Sequence, residues 1–279
     1  MDWLEFFKYL FLGIIQGITE VLPISSSGHV ELFKALLGVE VSDSLVFLIL
    51  LNTGSLATFL IIYAKKLFTL IKSFILYILK PTLRIEHQDN FIYFSKVLVA
   101  CIPAGIVGLL FNDFIEECMC NYDILFAGMG LLLTATVLYF VSKMSFKRGS
   151  SHLSWLDTLF IGLAQSVAIL PGVSRSGMTT STALKRGSGI DSALNFSFLM
   201  YIPISFATLL LSILKFDSSE IANVTKFDFI YYVFAFLGAM VATFVAYKLI
   251  FNIFRSGKLK YFSYYCFGVG LLAVFLYIV

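Results

Sequence analysis

Six stretches of this chain carry no charged side chain: 44–64, 97–112, 124–142, 192–214, 229–247 and 261–279. A helix crosses a hydrocarbon core of about 30 Å with roughly 20 residues, in a range of about 17–25. Five of the six stretches reach that length, and 97–112 must borrow from its flanks. Composition agrees. Hydrophobic residues make up 59% of the 279 and charged residues 13%, against about 45–50% and about 25% in soluble domains. No soluble surface can be covered from that pool. The chain is therefore expected to be an all-α polytopic membrane protein, folded as a single membrane domain over 1–279. The same figures exclude intrinsic disorder, a disulfide scaffold and a nucleic-acid-binding domain. A net charge of +3 names no partner.

The cysteines add little. Cys101 and Cys266 sit in apolar runs and are expected to pack as small hydrophobes. Cys118 and Cys120 lie close together in an acidic loop with no His nearby, which is weak ground for a metal pair. The first residues, MDWLEFFKYL, lack a basic n-region and a small-residue cleavage site, so no removable signal peptide is read there.

Two further apolar runs, 9–19 and 158–174, are short. Each ends at a Pro and a cluster of Ser and Gly, and each is followed by a second short, more polar stretch. That pattern predicts re-entrant helical hairpins, whose non-helical tips are tolerated at membrane depth only when buried in protein or facing a wet cavity. Two full spans with a loop between them are the plainer alternative. The hairpins resemble each other: GIIQGITEVLPISSSG begins at Gly13 and GLAQSVAILPGVSRSG at Gly162. A shift of 149 places Gln16 on Gln165, Ser25 on Ser174, Ser27 on Ser176 and Gly28 on Gly177, and a shift of 150 places Ser55 on Ser205 and Thr58 on Thr208. The chain thus divides into halves at about 1–148 and 149–279, each a hairpin plus three spans. Three spans is an odd number, so the second half enters from the opposite side. Such an inverted-topology repeat binds its substrate near the midplane, where the broken helices meet.

Charge orients the chain. With the N-terminus on one side, the loops 65–96, 143–191 and 248–260 fall on the other. Apart from Arg175, these loops hold fifteen Lys and Arg, against Lys8, Lys34, Lys215 and Lys226 on the first side. The positive-inside rule makes the lysine-rich side cytoplasmic and places both termini outside. Within the first of these loops, KKLFTLIKSFILYILK is expected to be a helix lying in the cytoplasmic interface.

The polar residues within the apolar segments are the candidates for chemistry. Gln16 and Glu20 share one helix face. Past Pro23 come Ser25, Ser26, Ser27, Gly28 and His29; past Pro171 come Ser174, Arg175, Ser176, Gly177 and Thr179. Hydroxyls, Gly-permitted turns and a following helix N-terminus are the parts of an anion nest. Arg175 adds a planar fork suited to two phosphate oxygens, and Glu20 and His29 can hold and move protons. A Ser-rich loop is more often only a helix cap, and Arg175 could pair with Glu20 purely as structure. The two matching tips taken together point to a phosphate or diphosphate held at the midplane beside an acid/base pair.

QGITEVLPISSSGH at 16–29 and PGVSRSGMT at 171–179, with LNTGSLA at 51–57 and FSFLMYIP at 196–203, resemble the undecaprenyl-diphosphate phosphatase family of the bacitracin-resistance type. The resemblance runs over essentially the whole chain. It implies an integral hydrolase of the bacterial cell membrane with the same inverted-repeat fold. Such an enzyme removes the terminal phosphate of a polyprenyl diphosphate and recycles the lipid carrier for peptidoglycan synthesis; bacitracin competes by sequestering that substrate. Self-association is left open. The resemblance makes Glu20, Ser26, His29 and Arg175 the catalytic set, and Ser25, Ser27, Gly28, Ser174, Ser176, Gly177 and Thr179 the diphosphate cradle. It also implies a divalent cation, Mg²⁺ or Ca²⁺, at positions 16 and 20. Here position 16 is Gln, which leaves Glu20 as the motif's one carboxylate; with the substrate's own phosphates that could suffice for Mg²⁺. Ser26, His29 or a water is expected to attack the terminal phosphorus. A polyprenyl-phosphate flippase of the same architecture is the rival reading, since it would need the same anion nest.

Overall fold

The computed structural model describes residues 2–39, 45–119, 123–144, 152–215 and 226–278, with the side chains of Leu45 and of 112–119 also left aside. The Cys118 side chain and the whole of Cys120 lie outside what is described. The described residues form ten α-helices and one short 3-10 turn. Six helices are long and apolar enough to cross a membrane. They are α3 (Leu45–Leu79), α4 (Arg84–Met119), α5 (Asp123–Ser142), α8 (Ile190–Leu214), α9 (Lys226–Arg255) and α10 (Leu259–Ile278). Each contains the described residues of one of the uncharged stretches. Their outward faces are apolar, with Ile61, Ile106, Leu109, Phe206 and Val241 all well exposed, which suits contact with lipid.

The other four helices form two pairs: α1 (Trp3–Val21) with α2 (Ser26–Leu37), and α6 (Trp155–Val167) with α7 (Arg175–Lys185). At 1.5 Å per residue, α2, α6 and α7 are each about 16–20 Å long, well short of a hydrocarbon core. α1 starts earlier than the apolar run 9–19 indicates. Asp2 caps it by accepting from the Leu4 amide at 2.8 Å, and Lys8 pairs with Glu5 one turn back. It stops two residues before Pro23, because the residue ahead of a proline is pushed out of the helical region. α6 opens with a capping box between Ser154 and Asp157. Arg186, at the far end of α7, donates to the same Asp157 at 2.6 Å, which ties the open end of that pair together.

The segment 65–79 differs from expectation. It is not a separate interfacial helix but the continuation of α3, a single helix of 35 residues. No Pro or Gly interrupts 55–80, and Lys is a good helix former, so nothing stops the helix before Pro81. After the turn at Pro81–Leu83, α4 runs back alongside. Tyr77 stacks on Phe91 at 4.0 Å, Phe74 on Phe91 at 5.1 Å, and Asn90 donates to Ser73.

Close backbone approach fixes the rest. α1 lies against α9 so tightly that a Cβ on Gly13 would sit 2.1 Å from the Ala235 carbonyl oxygen, and one on Gly17 2.3 Å from that of Ala239. α6 lies against α4 in the same way, with Gly162 on the Ala100 carbonyl. α5 packs along α10 through Gly128 and Gly270. Between α3, α8 and α9 sits an aromatic cluster of Phe59, Phe198, Tyr201 and Tyr247. Cys101 and Cys266 are buried and unpaired, as the sequence indicates.

Candidate active site

The two helix pairs meet tip to tip. Ser176 Oγ donates to the Leu22 carbonyl at 3.0 Å, and Ser27 Oγ accepts from the Gly172 amide at 3.4 Å. A Cβ on Gly28 would fall 3.0 Å from the Gly172 Cα. Each tip is built alike. Ser25 Oγ caps α2 by accepting from the Gly28 amide, and Ser174 Oγ caps α7 by accepting from the Gly177 amide. The hydroxyls of Ser25 and Ser27 lie 3.3 Å apart, as do those of Ser174 and Ser176. The first turns of both helices, with their positive dipole ends, converge here. Ser25 holds φ at +69° and is the one non-glycine residue with positive φ among those described. A β-carbon in that region is strained, and such outliers gather at working sites.

Glu20 is the centre of the arrangement. It is 8% exposed, and both carboxylate oxygens are engaged. Oε1 accepts from Arg175 Nη2 at 2.6 Å. Oε2 accepts from Ser26 Oγ at 2.6 Å and from Gln16 Nε2 at 2.9 Å. The Gln16 amide also donates to Asn52 Oδ1 at 2.9 Å. Arg175 Nη1 donates to Ser205 Oγ at 3.0 Å, and the guanidinium lies over the Tyr201 ring, 4.4 Å from its centroid. The Arg175 guanidinium lines a pocket of about 160 Å³ with Asn52, Thr53, Ser205, Thr208 and Ser212. That pocket sits between the beginning of α3 and the end of α8.

Glu20, Ser26 and Arg175 thus come together as the sequence indicates. His29 does not join them. It is 1% exposed, with Nδ1 2.7 Å from the Ser25 carbonyl oxygen and Nε2 3.0 Å from the Tyr265 hydroxyl. Its ring stacks on Tyr265 at 5.5 Å. The carbonyl can only accept, so Nδ1 carries the proton and donates it to that bond, which leaves Nε2 to accept from the tyrosine hydroxyl. Thr179 also turns away from the tip, bonding Ser197 Oγ at 2.6 Å and the Arg175 carbonyl at 2.8 Å. The serines and glycines of the cradle serve as caps and as contacts between the tips.

The donor set does not fit a cation held by Gln16 and Glu20. Gln16 presents its amide nitrogen between two acceptors, and both Glu20 oxygens already face donors, one of them a guanidinium. Ca²⁺ takes about six to eight oxygens, and Mg²⁺, which can lean on substrate phosphates, still needs a free carboxylate oxygen; among the described residues no three His, Cys, Asp or Glu side chains cluster as a further source.

Asn52, Ser205, Tyr201 and Tyr265 are site residues that sequence reasoning did not name. Asn52 and Tyr201 lie inside the segments LNTGSLA and FSFLMYIP, and Ser205 is the repeat partner of Ser55. Those were the available signals.

A family model described as bacitracin resistance protein BacA matches residues 9–272. The chain belongs to that family. Undecaprenyl-diphosphatase 1 of Bacillus cereus is 40% identical to it over 269 residues, covering 96% of each chain. Undecaprenyl-diphosphatase 3 of Bacillus anthracis is 39% identical over 269 residues, again covering 96% of each. Undecaprenyl-diphosphatase of Oceanobacillus iheyensis is 40% identical over 271 residues, covering 95% of this chain and 94% of its own. The BacA family assignment therefore rests on nearly the full length of the chain.

Proposed function

We propose that this chain hydrolyses undecaprenyl diphosphate, or a similar polyprenyl diphosphate, to the monophosphate and inorganic phosphate, and so returns the lipid carrier to peptidoglycan synthesis. One observation carries the chemistry: the Ser26 hydroxyl donates at 2.6 Å to a carboxylate whose other oxygen is 2.6 Å from an arginine. A nucleophile hydrogen-bonded to a base, with that base oriented by a third group, is the mark of an activated hydroxyl. Arg175 and the first turns of α2 and α7 hold the diphosphate. Ser26 Oγ attacks the terminal phosphorus as its proton passes to Glu20. The bond from that phosphorus to the bridging oxygen breaks, and the polyprenyl monophosphate leaves with the electron pair. Water then cleaves the phosphoserine, releasing inorganic phosphate and restoring the Ser26 hydroxyl. Such a transfer is governed by positioning and charge. His29 acts through the Ser25 carbonyl, holding the strained turn that aims Ser26. No step needs a protein-held cation. Purified protein in detergent is expected to release phosphate from a polyprenyl diphosphate. Tight binding without release would favour the flippase reading instead.

On this reading the lipid tail lies between α1 and α9. A groove of about 640 Å³, with no polar residue in its lining, runs along Leu10, Ile14 and Ile18 on one side and Phe234 and Val241 on the other. It reaches Leu22, whose carbonyl accepts from Ser176, so it begins beside the phosphate cradle. Val241 is 65% exposed in the groove, and Val241→Trp should fill it. The expected result is a rise of about tenfold in KM for the long-chain substrate, with hydrolysis of farnesyl diphosphate little changed, since even one methylene lost from a hydrophobic pocket is worth about 1–3 kcal/mol. An equal effect on both substrates would place the tail elsewhere.

The two helix pairs are, on the same reading, re-entrant hairpins, and the halves 1–148 and 149–279 an inverted repeat. Three features support this: the short lengths of α2, α6 and α7, the matching caps at the tips, and the equivalent packing of Gly13 on α9 and Gly162 on α4. The charge distribution supports both termini lying outside the cell membrane. The Arg175 pocket, between the start of α3 and the end of α8, then opens to the exterior. A reporter active only in the cytoplasm, fused after Val279, should be silent; robust signal would reverse the orientation.

A further inference from the structure

A second pocket, of about 990 Å³, lies far along α3 and α8 from Arg175. Asn52 and Lys66, one on each pocket, are fourteen residues apart on α3, about 21 Å along the helix axis. The second pocket is lined by Lys65 and Lys66 from α3, Asp89 and Lys96 from α4, and His152 and Asp191. Asp191 is already committed, since both its oxygens accept from Arg255, at 2.8 and 3.0 Å. The three lysines make no ion pair with any described carboxylate. Asp89 is the one other carboxylate in the lining, so the ammonium groups exceed it by two charges.

Two of these lysines are held in place. The Lys96 ammonium donates to the Leu153 carbonyl at 2.6 Å and lies 5.4 Å from the centre of the Trp155 ring. The Lys66 ammonium lies 5.1 Å from the centre of the Tyr93 ring. Each keeps donors for an anion. Beside them the same pocket is walled by Ile62, Leu70, Ile92 and Phe196, which a free inorganic anion would not use. An amphiphile uses both surfaces. Basic pockets between spanning helices are where acidic lipid headgroups bind, and Tyr and Trp sit at the headgroup level.

We propose that this pocket is a binding site for the phosphate headgroup of an anionic membrane lipid, separate from the catalytic site and in the opposite leaflet. The lipid's acyl chains run down the apolar outer faces of α3 and α4.

The test is native mass spectrometry of the intact purified protein titrated with dioleoylphosphatidylglycerol and, separately, dioleoylphosphatidylcholine. The parent should bind the acidic lipid more tightly. Each lysine near the surface contributes about a fivefold preference, so Lys65→Gln should weaken that lipid by about fivefold. The triple change Lys65→Gln, Lys66→Gln, Lys96→Gln should weaken it by about a hundredfold. Among the described residues Lys65 makes no ion pair whose loss would unfold the chain, so that single variant stands even if the triple does not fold. Unchanged lipid binding in Lys65→Gln overturns the proposal. So does displacement of the lipid by inorganic phosphate at equal concentration, which would make this a free-anion site. Retention of the lipid under excess phosphate supports the assignment.

Discussion

Glu20→Gln should lower turnover by about 10²–10⁴-fold, the usual range for loss of a general base, while substrate binding changes little. The substitution keeps the shape of the side chain and its contact with Ser26 but cannot take the Ser26 proton. It also leaves Arg175 without its carboxylate. Breaking a fully buried pair costs about 3–5 kcal/mol. The Arg175 side chain is 26% exposed and keeps its contacts to Ser205 and Tyr201, so the cost here falls below that range. Thermal unfolding of the variant is measured first to show that it is folded. Steady-state phosphate release beside direct substrate binding then decides. Near-parent turnover in folded protein would make Glu20 a structural anchor for Arg175.

Arg175→Lys should lower kcat/KM by about 10–100-fold, with KM raised and kcat reduced together. Lysine keeps the charge and loses the planar fork that spans Glu20 Oε1, Ser205 Oγ and the Tyr201 face. One hydrogen bond to a charged group is worth about 1.5–3 kcal/mol, and the fork serves both the bound diphosphate and the charge that grows on it. The same pair of assays checks it. Parent-like values in both would reduce the Glu20–Arg175 contact to a structural ion pair.

Much of this was legible in the chain because lipid leaves so few choices. An uncharged run of about 20 residues has one available fold, so the six spanning helices follow directly from 44–64 and its five companions. The tips were legible for the opposite reason. Glu20 and Arg175 are costly at membrane depth, and the structure brings them to 2.6 Å. The sequence match between the two tips also has a limit: Ile169 stands where a shift of 149 would put a second Glu20, so only one tip carries a carboxylate there.

What could not be read is where ambiguous residues point. His29 next to SSSG reads as a proton carrier at the bond. Its actual partners are a backbone carbonyl four residues back and Tyr265, a tyrosine more than two hundred residues away, and no local pattern encodes that. A single Asn or Ser inside a span, such as Asn52 or Ser205, is as consistent with a bond to its own helix as with a site. Thr53 and Thr58 make that kind of bond. The length of α3 was missed because Lys65 and Lys66 look like the end of a span. They end the uncharged run without ending the helix.

The most direct measurement is phosphate release by Ser26→Ala protein set beside the parent, with undecaprenyl diphosphate as substrate and binding measured in parallel. Ser26 is half-buried and, among the described residues, its hydroxyl bonds only Glu20, so alanine should fold and still bind the diphosphate through Arg175. The expected result is steady release by the parent and a rate lower by at least about 10²-fold in the variant. Near-parent release by folded Ser26→Ala protein would contradict the assignment of Ser26 as the attacking group on Glu20.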